Sequence, residues 1–188
     1  MRAVVQRVKE ACVIVDDEFV SKIENGICCF IGIKKDDTID DLNYIKDKII
    51  KLRIFEDENC NMNKSVGDVD GEILLISQFT LYGDVRKGTR PSFTEAMKRE
   101  EAKKFFDEFA CAIKNSCEVN VETGSFGDDM KIKVINDGPV TILLDSERKF
   151  WFLERGFMEK HKIHKVPLGI YRANCYLIHN LENNRAVI

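Results

Sequence analysis

The sequence predicts an α+β fold, in which a mainly antiparallel, barrel-like β-sheet carries two helices on one side. Three observations support this prediction. The first third of the chain consists of short β-rich segments separated by turn residues. Two stretches with helical periodicity lie far apart, within residues 38–52 and 94–113. Further β-rich segments follow the second stretch, so strands outnumber helices and do not alternate with them.

The opening segments predict four strands, at residues 2–8, 11–16, 19–24 and 27–34. After them the period changes, because apolar residues recur every three or four positions from Ile39 to Leu52. Thr38 stands directly before this run and is a favourable N-cap. A first helix is therefore predicted to begin after Thr38.

The second half of the chain predicts one strand, one helix and three more strands. Residues 56–71 are polar and predict a loop or an irregular hairpin, and residues 73–82 predict a strand. A second helix is predicted to begin near Thr94. The last three strands are predicted at residues 118–123, 130–136 and 140–145.

The last two of these strands are separated by Gly138 and Pro139. Proline cannot donate to a strand ladder, and glycine weakens a strand. On this fragment alone, a hairpin turn is therefore the simplest interpretation.

Composition predicts a globular protein of one main domain, since 44% of its 188 residues are hydrophobic and 32% are charged. No apolar run approaches the roughly 20 residues that span a bilayer, and the first residues lack the apolar centre of a secretory signal. The seven cysteines include no Cys-x-x-Cys pair, which favours free thiols in a reducing compartment. We expect a cytoplasmic protein with no membrane contact.

Charge divides the chain near residue 147. Residues 147–188 carry a net charge of +4 and all three histidines, whereas residues 1–146 carry a net charge of −7. We therefore predict a body (residues 1–146) and a basic C-terminal extension of unknown role (residues 147–188). Because the body has no histidine, a Ser-His-Asp or Cys-His centre would need a base from the extension. The chain has no Walker loop and no dinucleotide fingerprint, and we expect no cofactor and no bound metal.

Three stretches of the body have residue types that suit chemistry. The first is Ser77–Leu81, followed by a basic loop at residues 86–93, which offers hydroxyl and amide groups beside cations that could hold phosphates. The second is residues 124–130, whose two glycines could let the backbone approach a ligand closely. The third is residues 136–141. Taken singly, each is more simply explained as a strand end, a tight turn or a solvated loop.

Together, these stretches resemble the D-aminoacyl-tRNA deacylase family, also called D-tyrosyl-tRNA deacylases. The matching segments are MRAVVQRV, SQFTL, RKGTRPSF, TGSFGDDM and NDGPVTILLDS. They follow the family's order and cover the whole body. The resemblance implies a homodimer of β-rich subunits that hydrolyses the ester between a D-amino acid, or wrongly attached glycine, and tRNA. This activity is a proofreading step in translation quality control.

The resemblance also implies roles for individual residues. Gly138 and Pro139 would form a cis-proline motif that reaches from one subunit into the active site of the other, at the subunit interface. There its carbonyl oxygens would hold the substrate's α-ammonium group, so that an L side chain runs into backbone and a D side chain does not. Arg7 matches a position that braces this motif; the alternative is an exposed arginine at a strand end.

By the same resemblance, Ser77, Gln78, Phe79 and Thr80 would line the pocket around the ester and the terminal adenosine. Met130 would touch this pocket, with simple core packing as the alternative. Thr80 is the natural candidate for a nucleophile, with Gln78 beside it. An unassisted threonine hydroxyl is a poor nucleophile at neutral pH, however. We therefore favour a mechanism in which the 2′-hydroxyl of the terminal ribose assists and Thr80 positions the ester.

Two other functions fit the sequence. One is a non-catalytic RNA-binding module with the same fold, and the other is a thiol or threonine hydrolase that uses its own nucleophile.

The family's usual chain ends near Ser146, so the resemblance says nothing about the extension. His161, His164, Cys175 and His179 have spacings that could hold zinc. A basic segment that adds tRNA affinity fits the charge better. A purely structural extension is the remaining alternative.

Overall fold

The computed structural model describes residues 1–149 and, beyond them, the backbone of three strands. The chain forms two compact units, Met1–Phe150 and Trp151–Ile188. The strands of the first unit are β1 (Arg2–Val15), β2 (Glu18–Ile23), β3 (Gly26–Gly32), β4 (Phe55–Glu56), β5 (Met62–Lys64), β6 (Glu72–Ser77), β7 (Val121–Thr123) and β8 (Lys131–Asp145). Its helices are α1 (Ile39–Lys51) and α2 (Arg99–Lys114), with short 3₁₀ turns at Gly67–Val69 and Phe79–Tyr82.

The sheet of the first unit is mixed and barrel-like. Its order is β2-β1-β3-β6-β7, and β8 pairs with the other edge of β1. The pairs that β1 makes with β2, β3 and β8 are antiparallel, whereas β3–β6 and β6–β7 are parallel. The predicted α+β class, with a mainly antiparallel barrel-like sheet and two helices, is confirmed.

Both helices pack on the same apolar cluster. Thr38 caps α1 with a capping box, in which its backbone N–H and its hydroxyl donate to the Asp41 carboxylate at 2.9 and 2.8 Å. The cluster joins the inner faces of both helices to one face of the sheet through Leu42, Ile45, Ile49, Phe106, Phe109 and Ile113. Each fully buried side chain of this kind stabilises the fold by about 1.5–3 kcal/mol. A second cluster, which includes Val8, Val13, Leu74 and Ile76, buries the other face.

Several boundaries differ from the sequence prediction. The first two predicted strands form one continuous strand, β1. The strand predicted at residues 73–82 ends at Ser77, where the 3₁₀ turn begins. α2 begins at Arg99 rather than near Thr94, because the preceding backbone pairs with the end of β3: Met97 N–H donates to the Ile33 carbonyl at 3.0 Å.

The hairpin turn considered at Gly138 and Pro139 is wrong, because β8 continues through both residues. On either side β8 pairs with β1, through Gln6 with Thr141 and Val8 with Asn136. Between these two pairs β8 advances five residues and β1 only two, so residues 137–140 bulge out opposite Arg7. We call residues 137–140 the β8 loop. The peptide bond between Gly138 and Pro139 is cis, and both residues are exposed.

The second unit contains a three-stranded antiparallel sheet, with β9 (His161–Leu168) and β11 (Arg185–Val187) on either side of β10 (Ala173–Asn180). The four residues considered as zinc ligands belong to this unit, and their side chains lie outside the described residues. The expectation that no metal is bound there therefore stays an expectation. Within residues 1–149, no helix is long and apolar enough to cross a membrane.

Candidate active site

A cavity of about 540 Å³ opens where β6 ends. Its walls come from the ends of β3 and β6, the start of α2, and the connection from β7 to β8. The apolar lining includes Ile31, Ile33, Met97, Phe126 and Met130, and the polar lining includes Ser77, Gln78, Arg99, Asp128 and Asp129. This volume suits a small organic ligand.

The polar segment at the end of β6 is held rigidly against β3. Gln78 N–H donates to the Ile31 carbonyl at 2.7 Å, and the Gln78 carbonyl accepts from Leu81 N–H at 3.3 Å as the 3₁₀ turn closes. The close approach needs a glycine on β3, because a Cβ at Gly32 would lie 2.9 Å from the Cβ of Leu81. Ser77, Gln78 and Phe79 are thereby fixed on the wall of the cavity.

Thr80 lies next to this wall but is not part of the lining. Its hydroxyl oxygen accepts a hydrogen bond from the side-chain amide of Gln78. An amide N–H is a donor and takes no proton at neutral pH, so this contact orients the hydroxyl without activating it. The backbone N–H groups of Phe79 and Thr80 open the 3₁₀ turn, where N–H groups have no acceptor within the turn. They can donate to an oxyanion.

Phe79 adds exposed aromatic surface to the cavity wall and contacts the end of the basic loop. Phe79 is 58% exposed, and its ring packs edge-on against Phe93 with the centroids 5.0 Å apart. In the basic loop, Arg86 is paired with Asp84 through two side-chain contacts of 2.9 and 2.8 Å. Lys87 and Arg90 are exposed.

The connection from β7 to β8 closes another side of the cavity. Gly127 has φ +84°, a conformation that side chains rarely adopt. Its carbonyl accepts a hydrogen bond from the guanidinium of Arg99 at 3.1 Å. Met130 packs directly over Gly124, where an added Cβ would lie 2.8 Å from its sulfur. Met130 thus lies on the wall of the cavity and also packs against the second apolar cluster. Its contact with a substrate stays a prediction.

Gly138 and Pro139 do not line this cavity; they belong to a separate group of residues around Arg7. Arg7 is only 6% exposed, and its Nη1 donates to the Ile54 carbonyl at 2.6 Å. Its Nε lies 3.3 Å from the Asp137 carbonyl oxygen and 3.1 Å from the Asp137 carboxylate. Lys9 contacts the same carboxylate at 3.3 Å. Arg7 thus ties the β8 loop to the body, and the alternative of an exposed strand-end arginine is wrong.

The adjacent buried cysteines Cys28 and Cys29 are unsuited to covalent catalysis. Burial raises the pKa of the Cys28 thiol to about 12 and that of Cys29 well above its ordinary value. Neither is a thiolate at neutral pH, and only the thiolate is a good nucleophile. Within residues 1–149, no three His, Cys, Asp or Glu side chains come close enough together to hold a metal ion.

Sequence reasoning missed two parts of the cavity. Met97 falls at the predicted start of the second helix, where an apolar side chain is expected to pack on the core, whereas it lies in the irregular segment before α2. Arg99 belongs to a run of charged residues at the start of α2, which is typical of a solvated helix face.

Comparisons with known proteins agree on one family. Residues 4–145 match the D-Tyr-tRNA(Tyr) deacylase family. A D-aminoacyl-tRNA deacylase from Clostridium beijerinckii is 61% identical over 150 residues, which are 80% of this chain and 100% of that protein. A D-aminoacyl-tRNA deacylase from Thermosipho africanus is 54% identical over the same shares. The family match ends at residue 145, so the extension lies outside it.

Two solved structures are similar. One, named c-Myc DNA unwinding element binding protein, has a TM-score of 0.74 and 44% identity, covering 77% of this chain and 98% of that chain. The other, described as a probable eukaryotic D-amino acid tRNA deacylase, has a TM-score of 0.64 and 18% identity, covering 76% of this chain and 97% of that chain. At 18% identity, the second likeness concerns the fold alone.

Proposed function

This chain belongs to the D-Tyr-tRNA(Tyr) deacylase family and is a hydrolase of ester bonds, and we propose that it removes D-amino acids, and glycine attached in error, from tRNA. The observation that carries this proposal is the cavity at the end of β6, with Ser77, Gln78 and Phe79 on its wall. The family match covers residues 4–145, which supports an activity located in the body. A cytoplasmic location follows from a tRNA substrate.

The active site is proposed to form between two copies of the chain. Within one chain, Gly138 and Pro139 are exposed on the β8 loop and lie apart from the cavity lining. Apolar side chains are exposed both beside the loop and at the mouth of the cavity: Ile135 and Phe79 are each 58% exposed, and Leu143 is 44% exposed. Exposed apolar surface at both places favours a symmetric homodimer in which each β8 loop enters the partner's cavity.

Chirality is read by fixing two points of the substrate. The carbonyl oxygens of the β8 loop accept from the α-ammonium group, and donors near Phe79 hold the ester carbonyl. With both groups fixed, a D side chain lies in open space, while an L side chain collides with backbone. Glycine has no side chain and is accepted, which accounts for the removal of mischarged glycine.

Hydrolysis is proposed to use a group of the substrate itself. The ester lies on the 3′-oxygen of the terminal ribose, and the neighbouring 2′-hydroxyl helps to activate water. Water adds to the ester carbonyl carbon while the backbone N–H groups of Phe79 and Thr80 stabilise the oxyanion. The bond to the 3′-oxygen then breaks and that oxygen takes a proton, which releases the amino acid and intact tRNA. The hydrogen bond from Gln78 to Thr80 supports a positioning role for Thr80.

The test compares the two enantiomers. Purified protein should release D-tyrosine from D-Tyr-tRNA at neutral pH in the presence of a chelator and should leave L-Tyr-tRNA intact. Gly-tRNA should also be hydrolysed. Equal attack on both tyrosyl enantiomers would contradict the proposed reading of chirality.

Mixed dimers test the shared site. Gln78→Ala impairs the cavity and Gly138→Ala impairs the loop, so each variant alone should be poorly active. In a mixed dimer, one site combines the intact cavity of one subunit with the intact loop of the other, and the second site has both parts impaired. Random mixing makes half of the dimers mixed. One site in four is then intact, so about a quarter of the wild-type activity per subunit should return. No recovery in dimers shown to exchange subunits would contradict a site built from both copies.

A second candidate function is nucleic-acid binding without turnover. It is favoured by the name of the 44% identical solved structure, which refers to binding a DNA unwinding element. Tight binding of DNA or tRNA with no release of any D-amino acid would select this candidate.

A further inference from the structure

Arg99 is the only cationic residue among the described residues that line the cavity. It is the first residue of α2, and the other charged residues of the lining are the carboxylates Asp128 and Asp129. Asp128 accepts a hydrogen bond from Ser125. In the described part of the chain, Arg99 makes no ion pair with any carboxylate, although two lie on the same lining. This differs from Arg86 in the basic loop, whose guanidinium is paired with Asp84.

The guanidinium of Arg99 is nevertheless held in place. Its Nη2 donates to the Gly127 carbonyl at 3.1 Å. A Cβ at Gly127 would lie 2.5 Å from this nitrogen and 2.9 Å from Nε, so the contact requires glycine. A guanidinium has five N–H donors, and this hydrogen bond uses one. The remaining donors, and the whole positive charge, stay available on the wall of the cavity.

The chemistry of the substrate supplies a matching group. In an aminoacyl-tRNA the ester lies on the terminal ribose, and the 5′ side of the same ribose carries a phosphodiester. A planar guanidinium is the side chain best suited to bind phosphate oxygens, through two parallel hydrogen bonds. Asp128 and Asp129 repel a phosphate, which leaves the Arg99 side of the lining as the favourable place for one.

We propose that Arg99 binds the phosphodiester on the 5′ side of the terminal nucleotide and thereby favours esters attached to RNA over the same ester on a free nucleoside. This inference rests on the proposed deacylase function. It assigns to Arg99 a specificity role that is separate from the reading of chirality, because the phosphate lies on the opposite side of the ribose from the amino acid.

The experiment compares two substrates that differ in this phosphate, D-Tyr-tRNA and D-tyrosyl-adenosine. Arg99→Gln should raise KM for D-Tyr-tRNA, and this fold-increase should be on the order of tenfold larger than the one for D-tyrosyl-adenosine. The change in kcat should be similar for the two substrates. Arg99→Lys should recover part of the loss, because it keeps the charge without the planar donor pair. The slope of log(kcat/KM) against log[salt] for D-Tyr-tRNA should fall by about one in Arg99→Gln.

Lys103→Gln is the matched control. Lys103 is exposed one turn further along α2, pairs with Asp107 at 2.8 Å and does not line the cavity. Its loss removes the same charge from the same helix and should leave both KM values unchanged.

Gly127→Ala is a second variant that leaves Arg99 in the sequence. Its methyl group would displace the guanidinium, and the positive φ of Gly127 adds backbone strain that acts on both substrates alike. Like Arg99→Gln, it should raise the ratio of KM for D-Tyr-tRNA to KM for D-tyrosyl-adenosine.

Three results would overturn the inference. An equal loss on both substrates would show that Arg99 only supports the loop around Gly127. No change on either substrate would show that it contacts no phosphate. If the wild-type protein hydrolyses neither substrate, the proposed function fails, and binding of an unesterified RNA ending in CCA still tests the contact. Equal affinity of wild type and Arg99→Gln for that RNA would reject it.

Discussion

Replacement of Arg7 by alanine tests whether the β8 loop is held by a single buried side chain. The substitution removes the donor to the Ile54 carbonyl, which lies 2.6 Å from Nη1 in a residue only 4% exposed. A buried carbonyl left without a partner costs about 1–3 kcal/mol. The contact with the Asp137 carboxylate adds less, because that side chain is 27% exposed and Lys9 remains beside it.

A total cost of about 2 kcal/mol corresponds to a decrease in Tm of about 4–8 °C, at 2–4 °C per kcal/mol for a chain of this size. Arg7→Lys keeps the charge but not the fork of donors, and we expect a smaller decrease. Arg53→Ala is the matched control. Arg53 also donates to a backbone carbonyl, that of Asn63 at 2.6 Å, but the contact is exposed and its loss should change Tm by no more than about 1–2 °C.

The functional assay is kcat/KM on D-Tyr-tRNA at 25 °C, where every variant is folded. A displacement of the β8 loop by about 1 Å should lower kcat/KM roughly 10²-fold in Arg7→Ala. Arg53→Ala should keep full activity. If Arg7→Ala lowers Tm as expected but keeps full activity and full discrimination against L-Tyr-tRNA, the loop does not depend on Arg7 for its position, and the reasoning is refuted.

Three further predictions concern the nucleophile, the loop and acid stability. Thr80→Ala should retain most of the turnover. The wild-type protein should hydrolyse D-Tyr-tRNA ending in 2′-deoxyadenosine poorly. If the variant binds tRNA normally but loses single-turnover hydrolysis, a covalent route through Thr80 is supported instead. Gly138→Ala should lower both Tm and kcat/KM, because φ is +116° and the added Cβ would lie 2.9 Å from Nη2 of Arg7; unchanged values of both would show that the loop adapts freely. A hydrogen bond from Lys34 lowers the pKa of Glu147 to about 2, from an ordinary value of 4.5. The stabilisation from this pair is therefore complete above pH 4.5 and is lost as the pH falls toward 2. Glu147→Gln should flatten the dependence of Tm on pH between these values. A variant with the same dependence of Tm on pH as the wild type would contradict this prediction.

The elements that the sequence predicted well are those with local signals. α1 is the clearest case, because the Thr38 capping box and the run of apolar residues from Ile39 both act within a few positions of each other. The boundaries that differ are set by distant partners. The start of α2 is delayed because Met97 pairs with Ile33, the residue after β3, and no periodicity within 94–99 could reveal that pairing.

The candidate site divides in the same way. Ser77, Gln78 and Phe79 were predicted from a motif, and they do meet on one wall of the cavity. Thr80 lies just beyond that wall, because the 3₁₀ turn rotates it away from the lining. Arg99 could not be predicted, since its availability depends on the backbone of Gly127 approaching from another part of the chain.

The β8 loop lets a single strand contribute to both apolar clusters. β8 gains three residues at the loop, and one step later β1 gains one residue of its own between Val8 and Glu10. Because three is an odd number, the alternation of side chains along β8 is reversed across the loop. Ile142 and Leu144 therefore pack against the cluster beneath the helices, whereas Ile132 and Val134 pack against the cluster on the other face of the sheet. A strand without these extra residues would turn all four side chains to one face and leave the second cluster without Ile132 and Val134.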